Sequence, residues 1–218
     1  MTTQEKNGIT EGVIWKQLLI FFFPILVGSF FQQLYNTVDS VIVGQFVGKE
    51  ALSSVGGSAG QIISLVVGFF TGVSTGATVI ISQYFGAGKK EEIEESLHTA
   101  YAFALVGGLV LGIAGIVFAP QMLRWMNTPE ELIAESVLYV RVYFSGLIFI
   151  FIYNMGAAIL RAVGDSKRPL YYLIVCSVVN IILDLLLILV IPLGVLGAAI
   201  ATLIAQAVSA VLVTVTLM

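Results

Sequence analysis

Long apolar runs, apolar on every side rather than along one stripe, alternate with short polar segments along this chain, as in helices bathed in lipid. Measured against the roughly 20 residues that a helix needs to cross a bilayer, the runs predict six spans, at about 17–43, 62–84, 97–119, 138–160, 170–191 and 194–218. The fold expected is therefore an all-α integral membrane bundle of six transmembrane helices, with a polar cytoplasmic segment at 1–14 and a transmembrane lobe at 15–218. Pro192-Leu193-Gly194 is a turn signal that makes the last two spans a tight hairpin. Gly68, Gly72 and Gly76 repeat every four residues in the second span, and Gly108 with Gly112 in the third. Small residues at that spacing predict close helix–helix approach. Gly44 and Gly48 mark the end of the first span.

Composition sharpens this picture and excludes others. A hydrophobic fraction of 58%, with 11% charged residues, is not that of an ordinary soluble domain. The net charge of −3, with no basic patch interleaved with aromatics, gives no reason to expect a nucleic-acid partner. Cys176 stands alone inside a span, so it is expected as a small buried hydrophobe, not as half of a disulfide or a thiolate metal ligand. No cleaved signal peptide is expected at the N-terminus, which suits a multi-pass protein of the plasma or inner membrane whose first helix directs its own insertion. Of the basic residues, Lys6, Lys16, Lys89, Lys90, Arg161, Lys167 and Arg168 fall on one side of the spans, against Lys49, Arg124 and Arg141 on the other. By the positive-inside rule the N-terminus and the second and fourth loops are cytoplasmic. Glu91, Glu92, Glu94 and Glu95 share the second loop as a solvated run, His98 after them is interfacial, and Trp15 and Trp125 anchor span ends at the interface.

Two carboxylates break the apolar pattern. Asp39 and Asp184 lie inside spans, and a charge at the bilayer centre costs at least about 2.5–3.5 kcal/mol on insertion scales, so it calls for a partner or a task. Asp39 follows Gln32 and Asn36 by seven and three positions, and Asp184 follows Asn180 by four, so each carboxylate shares a helix face with amides. Thr202 and Gln206 are likewise four apart on the last span, which the hairpin brings to the fifth. Carboxylate, amide carbonyl and hydroxyl are hard oxygen donors suited to sodium or another hard cation. If Asp39 joins from the first span, two carboxylates in a low-dielectric site make a proton the natural competitor of that cation. A purely structural polar cluster is the alternative reading of the same residues. Pro24, inside the first span, predicts a kink or hinge, and Asp39 lies fifteen residues beyond it, about 22 Å along an ideal helix. Gln32, Gln33, Tyr35 and Asn36 give that span a polar half suited to lining a cavity, and Asn154, beside Tyr153, is a further intramembrane amide.

Larger blocks of sequence carry a resemblance. Tyr35-Asn36-Thr37-Val38-Asp39-Ser40-Val41-Ile42-Val43-Gly44, Gly86-Ala87-Gly88-Lys89, the run from Leu160 to Pro169, Val179-Asn180-Ile181-Ile182-Leu183-Asp184 and the run from Pro192 to Ala199 resemble, in order and spacing, the multidrug and toxic compound extrusion (MATE) family. The resemblance implies a fold of two six-helix lobes around a V-shaped cavity, of which this chain is the N-terminal lobe. It implies antiport driven by protons or sodium, exporting amphiphilic or cationic small molecules, with no further cofactor. The family's cation-binding residues map onto Asp39, Asn180, Asp184 and Thr202, and its bending proline onto Pro24. Gln33, Tyr35, Asn36, Asn154 and Gln206 are the cavity residues expected beside them. Membrane lipid and a missing C-terminal lobe are the expected partners, with truncation of a longer chain preferred over a half that pairs with itself or another chain.

Rival readings are weaker. A lipid-linked oligosaccharide flippase of the same superfamily favours basic residues for pyrophosphate, and the sequence places no arginine or lysine in mid-membrane. An intramembrane aspartyl protease built on Asp39 and Asp184 is disfavoured because Ala162-Val163-Gly164-Asp165 lacks the first glycine of a Gly-x-Gly-Asp motif and Asp165 sits in a basic loop. The reading is therefore a transporter and not an enzyme, with a non-transporting membrane scaffold as the remaining alternative.

Overall fold

The computed structural model describes residues 13–218, so nearly all of the polar segment expected at 1–14, including Lys6, lies outside the described residues. The described chain is a bundle of eight α-helices: α1 (Ile14–Ile42), α2 (Lys49–Gly56), α3 (Ser58–Gly86), α4 (Lys90–Trp125), α5 (Glu130–Ser145), α6 (Leu147–Ala162), α7 (Lys167–Asp184) and α8 (Val195–Leu217). Two π-helical turns interrupt the α geometry, Val43–Val47 after α1 and Leu185–Val190 after α7. Among the described residues five helical stretches are long and apolar enough to cross a membrane, and the pair α5–α6 makes a sixth if read as one bent span.

The structure corrects the fourth span. The sequence pattern suggests one continuous helix at 138–160, whereas α5 and α6 meet at Gly146 with a bend of 49°. Two local causes coincide there. The Ser145 hydroxyl donates to the Val142 carbonyl, diverting an acceptor of the helical ladder. At Gly146 an added Cβ would come within 3.0 Å of Leu203 Cγ on α8, so the backbone passes close to its neighbour at a serine–glycine pair where helices readily bend. The short helix α2 was not anticipated. It begins at Gly48, whose φ of +129° lets the chain turn sharply out of the first π-helical turn.

Glycines divide into two sets that their spacing does not distinguish. At Gly108 an added Cβ would lie 2.7 Å from Ile148 Cα, and at Gly112 it would lie 2.9 Å from the Phe144 carbonyl oxygen, so α4 packs backbone to backbone across the α5–α6 bend. Gly68, Gly72 and Gly76 have nothing within 4 Å of an added Cβ among the described residues, so the close approach expected at them is absent here. The core lies beside the tight seam. Phe70 of α3 stacks on Phe151 of α6 with centroids 3.6 Å apart, and Phe103 of α4 lies beyond it at 6.0 Å. Because lipid is as apolar as a phenylalanine ring, this cluster stabilises the bundle chiefly by packing.

Helix α1 is held differently. It packs against α7, and its buried residues are Pro24, Gly28 and Ile42, while Phe22, Phe23, Leu26 and Phe30 point outward. Trp15 and Trp125 are exposed at the start of α1 and the end of α4, positions that suit interface anchors.

Candidate functional site

A cavity of about 850 Å³ opens among α1, α3, α5, α6, α7 and α8. Pro24, Gln32, Tyr35, Asn36 and Asp39 of α1 form one wall. Together with Ile25, Gly28 and Ser29, which also line it, these positions follow the helical repeat (24/25, 28/29, 32, 35/36, 39), so a single face of the helix turns toward the space. Gln33 is off that face: it is exposed, does not line the cavity, and its carbonyl accepts the Thr37 hydroxyl at 2.8 Å. Asn154 and Gln206 do line the cavity, from α6 and α8, and the Asn154 amide donates to the Ile150 carbonyl at 2.8 Å.

At one end of the cavity, α1, α7 and α8 bring four polar residues together. Asn180 and Asp184 are fully buried on one face of α7, and Thr202 of α8 is nearly so. The Asn180 amide donates to the Thr202 hydroxyl at 3.5 Å, bridging the α7–α8 hairpin. The Asp39 and Asp184 carboxyl groups lie near enough to each other to interact electrostatically. Asp39 and Thr202 face the cavity, whereas Asn180 and Asp184 do not line it and are fully buried.

The arrangement leaves acceptors without donors. Asp39 Oδ1, Asn180 Oδ1 and both Asp184 carboxylate oxygens are buried with no hydrogen-bond partner among the described residues. Two ionised carboxylates only accept, so neither satisfies the other. A shared proton supplies one donor, whereas a hard cation takes carboxylate and amide oxygens such as these as its ligands. Among the described residues no three His, Cys, Asp or Glu side chains converge, and the donor set is that of a hard cation or a proton, not of a transition metal.

Three features were not anticipated from the sequence. Tyr139 and Tyr143, four apart on α5, line the cavity with Tyr35, and the helical spacing that placed Asn180 with Asp184 applies equally to them. Both intramembrane carboxylates lie just before π-helical turns, Asp39 four residues before Val43 and Asp184 immediately before Leu185, and the two turns touch each other. Such turns are uncommon and often occur at functional sites. Arg161, assigned by the sequence to a loop, is instead in the last turn of α6 and lines the cavity. Pro24 is buried on the cavity wall within a helix that runs α-helically on both sides of it.

Comparison with known proteins bears on the family and the fold. The MatE family model matches residues 24–186. The probable multidrug resistance protein YoeA of Bacillus subtilis is 34% identical over 208 residues, covering 94% of this chain and 44% of the relative. A crystal structure of MATE in the straight conformation superimposes with a TM-score of 0.91 at 27% identity, covering all of this chain and 48% of that one. A crystal structure of MATE in the bent conformation gives a TM-score of 0.89 at 27% identity, covering 98% of this chain and 47% of that one. The chain thus spans about half the length of the relatives it matches. The fold, the multi-pass membrane character and the family match lead to one conclusion: this chain belongs to the MatE family, the multidrug and toxic compound extrusion transporters.

Proposed function

We propose that the chain is the cation-coupling N-terminal lobe of an efflux antiporter that exports amphiphilic or cationic small molecules across the cell membrane. The observation that carries this reading is the group of buried oxygens of Asp39, Asn180 and Asp184, unpartnered among the described residues, beside a cavity of about 850 Å³ that Asp39 lines. Sodium or a proton occupies the group, and Thr202 completes it. Ion entry changes the charge of the Asp39/Asp184 pair and with it the way α1 seats against α7. Pro24 removes one backbone hydrogen bond from α1 and marks where that helix bends most cheaply. A bend there reshapes the wall that carries Gln32, Tyr35 and Asn36, so bound substrate and bound cation disfavour each other. That mutual effect is the differential binding that coupled exchange requires.

A second lobe, in the same full-length chain or another, closes the open side of the cavity. The excess of basic residues at the second and fourth loops puts the N-terminus in the cytoplasm. The experiment is radioactive sodium binding to the purified chain in detergent, at neutral and mildly acidic pH, beside Asp184→Asn. Saturable binding that acid suppresses and the substitution removes supports the reading. If wild-type and Asp184→Asn chains, both folded by circular dichroism, bind sodium alike and take up the same number of protons on acidification, the site has been misassigned.

A further inference from the structure

The residues lining the large cavity carry two formal charges, Asp39 and Arg161, and they lie at opposite ends. Gly28 of α1 faces Leu170 and Leu173 of α7, so the start of α7 is level with the first half of α1. Arg161 is at this level, because α6 ends at Ala162 and the chain turns directly into α7 at Lys167. The Tyr153 hydroxyl also donates to the Pro169 carbonyl at 3.2 Å, tying α6 to α7 there. Asp39 lies eleven residues beyond Gly28 on α1, roughly 16 Å farther along the bundle at the helical rise. The cavity thus has a carboxylate end and a guanidinium end, with Tyr35, Tyr139, Tyr143 and Asn154 among the residues lining the space.

Arg161 is half-buried and belongs to neither of the ion pairs found among the described residues, Lys89 with Glu92 and Arg168 with Asp165. The acid nearest in sequence, Asp165, is committed elsewhere. One of its oxygens accepts the Lys167 and Arg168 backbone N–H groups, and the other meets Arg168 Nε at 3.2 Å. Ser166, in the turn between α6 and α7, also lines the cavity. A position in the last turn of α6 favours a cation through the helix dipole, but that effect does not require the side chain to line a cavity.

We propose that Arg161 is an anion-binding point of this cavity, taking the phosphate or carboxylate group of an amphiphile whose aromatic or apolar body lies along the tyrosine-lined wall. The proposal rests on the cavity being the substrate site and adds a second polarity to it, with the cation at the Asp39 end and an anionic group at the Arg161 end. The planar guanidinium offers a two-pronged donor that matches both groups, and the partly dry wall strengthens the attraction. The same chemistry is present in a soluble anionic molecule and in an anionic lipid headgroup.

Flavin mononucleotide and riboflavin, identical except for one phosphate, separate charge from ring stacking by fluorescence titration of the purified chain. Binding of the nucleotide is expected to be on the order of tenfold tighter or more, as for a charge-assisted hydrogen bond. Arg161→Gln is expected to bring the two flavins to parity, and Arg161→Lys to retain part of the difference. Phosphatidylglycerol and phosphatidylcholine, titrated as short-chain lipids, form the second arm. Preference for phosphatidylglycerol that Arg161→Gln abolishes, without preference for the nucleotide, identifies the anion as a headgroup. The idea is overturned if neither pair is distinguished by the wild-type chain, or if the distinction survives in a folded Arg161→Gln chain. Radioactive sodium binding on the same samples separates this failure from failure of the cation site, because Arg161→Gln leaves Asp39, Asn180, Asp184 and Thr202 intact.

Discussion

The seam of α4 against the α5–α6 bend and helix α1 belong to one bundle but are built on opposite principles. Across the seam, Gly108 and Gly112 bring backbones so close that a single methyl group has no room, and stacked phenylalanines fill the space beside them. Along α1, a proline lies in mid-helix, a π-helical turn ends the span, and most side chains point away from the lobe. Asp39 and the amide-rich cavity wall are on α1, while the seam contributes mainly bulk. Where packing is dense a helix has one position, and where it is sparse a small change in charge can select between two. The contrast teaches that the helix carrying Asp39 is the most sparsely buried of the long helices, anchored to the rest chiefly through α7.

Substitutions can break that contrast, beginning where the effect is largest. Phe151→Ala removes the ring stacked on Phe70 and is expected to cost about 3 kcal/mol or more by leaving a cavity. A large fall in the thermal unfolding midpoint of the detergent-solubilised chain checks this. Gly112→Val forces a side chain against the Phe144 carbonyl, with an expected loss of about 1–3 kcal/mol in the same measurement. An unchanged midpoint in that variant would show that the seam is not tight. Pro24→Ala restores a backbone hydrogen bond and is expected to stabilise α1 by as much as about 3 kcal/mol, but only locally. Slower hydrogen exchange confined to α1, with the global midpoint moving by a few degrees at most, is the expected pattern. Smallest of all, Gly72→Ala meets open space and is expected to change stability by less than about 1 kcal/mol, in the stabilising direction. A Gly72→Ala effect as large as that of Gly112→Val would remove the distinction between the two glycine sets.

The legible and illegible parts of the chain differ for definable reasons. Spans show in sequence because lipid demands some twenty apolar residues in a row: α3 and α8 end within about one turn of the predicted limits, whereas α4 runs about two turns past them at both ends. Asn180 and Asp184 could be paired from their spacing, since four residues is one helical turn. Their meeting with Asp39 could be only a conditional expectation, because the packing of α1 on α7 is a relation between segments distant in sequence. The bend at Gly146 was hidden in an uninterrupted apolar run, since its causes are a hydroxyl turned back on its own helix and the passage of α8. Gln33 and Gln32 are chemically identical neighbours, and only the rotation of α1 decides which one reaches the cavity.

By itself, the sequence determined that the chain is membrane-embedded, where its helices run and which rare polar side chains would need a purpose in an apolar solvent. Each follows from local composition and the fixed geometry of a helix. Tertiary structure alone decided which glycines are contacts and which stay open, that the two carboxylates share one buried group, and that Arg161 faces the same cavity as Asp39 from its other end. These depend on the rotation and depth of each helix against its neighbours. In lipid, that choice is made by the fit of many side chains at once, because no hydrophobic force marks one face of a wholly apolar helix as the inside.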